Sequence, residues 1–171
     1  MVKNLENLSK YDKLLLLILS KSKGEIKGKK KIWKMLYFLD FDMFEYDNRS
    51  ITDDMYEKYP MGPKPRNIEQ RLLELEQKGF IKTEKEKTGE GYNDTCVFKL
   101  KNKFTKQEIE ELESIFDKKE KFIIKRDLKL YGSKNGSELE KISHDEAPYN
   151  AVGLYQLMDY ELSFYRDTEF V

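Results

Sequence analysis

The spacing of apolar positions divides the 171-residue chain into a series of helices interrupted by one strand pair. Ser9, with Asp12 three residues on, matches a helix-opening cap. Residues 14–19 then fill a short hydrophobic helix, predicted over residues 9–20 and closed by Lys21, Lys23 and Gly24. After Gly28, Ile32, Trp33, Leu36, Leu39 and Met43 recur at spacings of three and four, and Tyr37, Phe41 and Phe44 widen the stripe. This pattern predicts a long core helix that ends near Asp47 and Asn48, where turn formers appear. Residues 50–59 read as an extended or turn-rich link. Pro60, Pro63 and Pro65 exclude a helix from the segment that follows, since each removes a donor and restricts its predecessor; a rigid loop is expected.

Asn67 is placed to cap a third helix in which Ile68, Leu72 and Leu75 face inward and Gly79 takes the C′ position. Residues 80–87 and 95–100 alternate in polarity around a turn at 89–94, as a β-hairpin does. Three helices followed by a hairpin is the order of a winged helix-turn-helix. Thr105, with Glu108 at the third helical position, opens a further helix expected to reach Phe122. Residues 132–136 read as a loop and 137–143 as a short helix. Leu154, Leu157, Met158, Leu162 and Tyr165 predict a last helix over residues 152–166. No repeat or low-complexity linker divides the chain. The expectation is therefore one domain over residues 1–171, mainly α with a small β-hairpin, an α+β fold of winged-helix-like order.

Composition narrows the chemistry. With 10 Phe and 11 Tyr there is enough aromatic material for a packed core although 37% of residues are charged. A single Cys (Cys96) and a single His (His144) leave too few soft ligands for a zinc site and rule out an internal disulfide, so no metal and no cofactor is expected, and a Lys-rich cytoplasmic protein is the natural reading. The apolar run at residues 14–19 is far too short for a membrane span.

The remaining candidate sites each have a plainer reading. Residues 24–30, with Gly24 and Gly28 before Lys29 and Lys30, are one residue short of a phosphate-binding loop, lack its Ser/Thr and follow no predicted strand, so a lysine-rich turn is expected. Asp40 and Asp42 interrupt the core helix, but residues two apart point roughly 200° apart and cannot both face one ion; solvated or capping carboxylates are expected, with Asp40 a candidate for a buried pair. His144 has carboxylates only as immediate neighbours, Asp145 and Glu146, and reads as a helix-terminal buttress rather than an acid/base group. No catalytic residue is assigned.

A winged helix invites a DNA-binding reading, which charge can test. On the candidate reading helix Glu69, Glu74 and Glu76 oppose only Arg71 and Lys78, and residues 80–94 of the hairpin are likewise net acidic. Arg66 and Arg71 remain as phosphate contacts. The formal net charge of zero is a sum of opposed segments: residues 1–34 hold 10 basic and 3 acidic side chains, residues 35–58 hold 2 and 7, residues 59–103 hold 10 and 7, and residues 104–171 hold 10 and 15. Lys27, Lys29, Lys30 and Lys31 make the one local basic patch for nucleic acid or an acidic partner.

Three blocks resemble the Panacea domain, the family that includes SocA-like antitoxins. Residues 34–41, KMLYFLDF, are similar to its core helix; residues 59–65, YPMGPKP, to its Gly-Pro loop; and residues 142–149, ISHDEAPY, to its "LSHxxxPW" segment, with Tyr149 in place of the usual Trp. The resemblance runs over about residues 10–152 and leaves residues 152–171 as a C-terminal helical extension. It marks Lys34, Leu36, Tyr37, Asp40, Tyr59, Gly62, Pro63, Pro65, Ser143, His144, Pro148 and Tyr149 as family positions, with interface roles as a hypothesis. What it implies is a non-enzymatic prokaryotic or phage antitoxin that neutralises an adjacently encoded protein toxin by direct binding or, in some members, by delivering it to a protease. A homodimer, formed through the surplus apolar surface of the last helix, is an open alternative for that surface. The alternative function is a winged-helix transcriptional regulator that represses its own operon.

Overall fold

A computed structural model describes residues 4–91 and 93–171; Tyr92 of the predicted hairpin turn, and Lys3 of the basic N-terminal segment, lie outside the described residues. In chain order the elements are α1 (Lys10–Lys21), β1 (Glu25–Lys27), α2 (Lys29–Asp47), β2 (Tyr56–Tyr59), β3 (Gly62–Pro65), α3 (Ile68–Gln77), β4 (Ile81–Glu86), β5 (Thr95–Leu100), α4 (Lys106–Glu113), α5 (Lys118–Tyr131), α6 (Gly136–His144), α7 (Ala147–Asn150) and β6 (Leu157–Met158), then a 3₁₀ helix, Tyr160–Tyr165. About half the chain is helical and the strands form two small antiparallel sheets, an α+β fold. It divides into two compact units, one comprising the chain up to Lys29 with Glu69–Asp117, the other Lys30–Ile68 with Lys118–Val171.

In the first unit α1 opens as its sequence dictates, with the Ser9 hydroxyl accepting the Asp12 N–H at 3.1 Å. Lys23 and Gly24 both take positive φ to end it, and the Gly24 N–H returns to the Leu19 carbonyl at 2.9 Å. The turn delivers the chain into β1, a strand the sequence did not announce. β1 lies antiparallel on β5, which pairs with β4 on its other side, giving the order β1-β5-β4. α4 packs on α1, with Leu112 and Phe116 buried. The helix expected over residues 105–122 is broken: the Ser114 hydroxyl bonds back to the Glu111 carbonyl at 2.7 Å, the Ser114 and Phe116 N–H groups close three-residue turns, and a new helix begins at Lys118.

In the second unit every residue from Ile32 to Met43 on α2 is buried. The Gly-Pro segment is not the rigid loop expected. Residues 62–65 form β3 and pair with β2, Tyr59↔Gly62 through Tyr56↔Pro65. The prolines survive in a strand because β3 is the edge of a sheet ordered β3-β2-β6, and because Pro63 and Pro65 alternate with Gly62 and Lys64. The last helix expected over residues 152–166 is absent. Tyr155 stands at φ 64, the Tyr155 N–H bonds to the Lys58 carbonyl at 2.7 Å, and Leu157–Met158 pair with β2. Sheet pairing thus takes the backbone groups a helix would have used, and only a 3₁₀ helix capped by Asp159 follows.

Candidate functional site

The family positions converge in the second unit, on α2, the β2–β3 hairpin and the α6–α7 turn. The Lys34 ammonium is wholly buried, donating to the Gly136 carbonyl at 3.0 Å and to Glu140 Oε2 at 3.4 Å. Burial pulls its pKa down and Glu140 partly restores it. Its neighbour is Gly62, at φ 116: a Cβ there would sit 2.7 Å from Lys34 Cε and 3.5 Å from Ser143 Oγ. One residue from each of the three sequence blocks therefore meets at this point.

One turn along α2, the Tyr37 hydroxyl donates to Glu146 Oε2 at 2.6 Å. Asp40 follows at the same spacing and is saturated with donors: the N–H groups of Ile51 and Thr52 at 2.8 and 2.9 Å, the Thr52 hydroxyl, and the Tyr56 hydroxyl at 2.6 Å. Burial nevertheless outweighs these bonds and raises the Asp40 carboxyl to about 6. Asp40 ties the 51–56 segment to α2, and Asp54 at its end accepts the Asn67 N–H that precedes α3. At the hairpin tip the Tyr149 hydroxyl donates to the Tyr59 carbonyl at 2.8 Å, and the His144 ring stacks on Tyr149 with centroids 4.2 Å apart. The Lys58 ammonium lies 4.3 Å from the centre of the same Tyr149 ring. His144 Nε2 is buried without a hydrogen-bond partner, and burial lowers the imidazole pKa. Leu36, Pro63, Pro65 and Pro148 are buried apolar contacts; Tyr59 and His144 are half-exposed.

Sequence reasoning missed a second cluster beside the first. Asp42, expected at a solvated or capping position, is fully buried. It accepts Arg126 at 2.8 Å and Arg166 at 2.6 Å. Arg166 also binds Glu45 at 2.7 Å and Glu146 at 3.3 Å, while Arg126 reaches Asp127 at 2.7 Å. Burial and the neighbouring Asp42 push Asp127 well above the usual carboxylate range. Arg166 lies 124 residues from Asp42, beyond the reach of any local pattern. Glu146, adjacent in sequence to the His144–Asp145 pair, is directed to Tyr37 and Arg166.

The basic patch is placed residue by residue. Lys27 pairs with Glu86 at 2.9 Å and Lys29 with Glu69 at 3.9 Å; Lys30 lies 3.8 Å from Glu140, and Lys31 donates to the Gly132 carbonyl at 2.7 Å. Arg66 binds Glu57 at 2.8 Å, and Arg71 sits between Asp12 at 3.9 Å and Glu74 at 3.6 Å.

The model of the antitoxin SocA-like Panacea domain matches residues 32–149. The chain belongs to this Panacea family. The matched span opens on α2 and closes on Tyr149, so it takes in all three groups of converging side chains and stops short of the Arg166 segment. The comparison with curated proteins gives no match, and neither does that with solved structures. Among the described residues no group of three or more His, Cys, Asp or Glu is arranged to hold a metal ion, and no helix is long and apolar enough to cross a membrane.

Proposed function

We propose that this Panacea-family protein is an antitoxin that neutralises a cognate protein toxin by direct binding, without catalysis. Family membership over residues 32–149 carries the reading. Its support in the site is that Lys34, Tyr37, Asp40, Gly62, Ser143 and Tyr149 are engaged with one another's elements as a scaffold, which leaves contact to the surface they hold up. The half-exposed Tyr59 meets Tyr155 edge to face at 5.2 Å, and Leu154, Tyr155, Leu157 and Met61 are exposed large apolar side chains of the same unit. These are the proposed contact residues. Co-expression with each adjacent open reading frame tests the reading. One neighbour is expected to be toxic alone, to be rescued by this chain and to co-purify with it, and Tyr155→Asp to weaken the rescue; the reading fails if no neighbour is toxic or none is rescued.

The second reading, a winged-helix regulator of its own operon, draws on the β4–β5 hairpin that follows α3 in sequence. It would use Lys27, Lys29, Lys30, Lys31, Arg66 and Arg71 on phosphates. Each of these already faces a carboxylate or carbonyl, so the first reading is preferred.

A further inference from the structure

The first unit carries a cleft of about 420 Å³ that neither reading uses. Leu100 at the end of β5, the buried Phe104 and Ile109 of α4 give it an apolar lining. Lys23, in the turn after α1, and Lys103 stand at the same cleft, exposed. Among the described residues no acidic side chain lines it. Neither lysine makes an ion pair among the described residues, whereas Lys21, Lys27, Lys78, Lys82 and Lys99 of this unit each face a carboxylate.

We propose that this cleft binds a short acidic peptide segment of a protein partner, with one large apolar side chain seated on Leu100, Phe104 and Ile109 and flanking carboxylates on Lys23 and Lys103. The volume falls in the range of small recognition pockets and takes one leucine or aromatic side chain. Unpaired like charges beside an apolar lining attract carboxylates and set their register. A phosphate backbone would satisfy the lysines but leave the apolar lining unfilled. The inference rests on the antitoxin reading only for the identity of the protein that supplies the segment.

Random eight-residue peptides displayed on phage, selected on the full chain, test it directly and without a toxin. Enrichment of sequences in which Leu, Ile, Phe or Trp is flanked by Asp or Glu is expected. Synthetic versions of those peptides are expected to bind the K23E/K103E and K23Q/K103Q chains at least about tenfold more weakly, with the far-ultraviolet circular dichroism unchanged. No enrichment, enrichment of other compositions, or equal binding to the variants overturns the proposal. So does a labelled oligothymidylate that binds with the same lysine dependence when no acidic peptide does. Toxin rescue without peptide enrichment would sink this inference alone.

Discussion

Gly62 and Asp40 are where single side chains decide most. At Gly62 a methyl group would meet Lys34 Cε, the end of a side chain normally free to move. Here it is not free, since shifting it breaks the bond to the Gly136 carbonyl inside the protein. Positive φ adds strain, so Gly62→Ala is expected to lower stability by about 1–3 kcal/mol in chemical denaturation. Asp40 makes stability depend on pH. Its folded pKa of about 6 lies above its ordinary 3.8, so the folded chain holds a proton that the unfolded chain releases first. The contribution is complete below pH 4 and is lost as pH rises through 6. The denaturation midpoint at pH 4 minus that at pH 7 should therefore be smaller in Asp40→Asn than in the parent chain; an unchanged difference would remove Asp40 from the account. Asn retains an acceptor for the Ile51 and Thr52 N–H groups, which Ala does not.

At the scale of elements, the segment after Tyr149 is the least legible in the sequence. Leu154, Leu157, Met158 and Leu162 have helical spacing, and β2 overrides it by offering its own edge. The cost of ordering this segment is met by a buried guanidinium: Arg166 is 3% exposed and serves Asp42, Glu45 and Glu146 together. Arg166→Ala would strand buried carboxylates, and a loss of about 3–5 kcal/mol is expected. Arg166→Lys should recover only part of this, because an ammonium has three donors on one atom and lacks the planar five-donor fork that spans three carboxylates. If Arg166→Ala leaves hydrogen exchange in the C-terminal half of α2 unchanged, the segment is a passenger and not a fastening. The caps, by contrast, were readable: Ser9, Thr105 and Gly79 stand where local rules put them. Strand β1 was not, because three residues carry no period; only the partner β5 defines it.

For the whole molecule, zero net charge conceals local matching. The patch at residues 27–31 looked available in the sequence because its partners, Glu86, Glu69, Glu140 and the Gly132 carbonyl, lie 40 residues or more away in the chain. Changing all four lysines to glutamine is thus expected to leave the salt dependence of promoter binding unaltered; direct phosphate contacts by all four would shift its logarithmic slope by about four. Fluorescence anisotropy on the promoter duplex between low and moderate salt makes the distinction. Sequence alone placed the three motif blocks in order, and the fold shows what they share: the Lys34 side chain, Gly62 and the Ser143 hydroxyl meet at one point. An exchange of parts between Panacea proteins therefore has a minimum size. A hairpin transplanted from a relative brings a backbone shaped around that relative's own helix and turn, so a working chimera has to carry all three blocks or none.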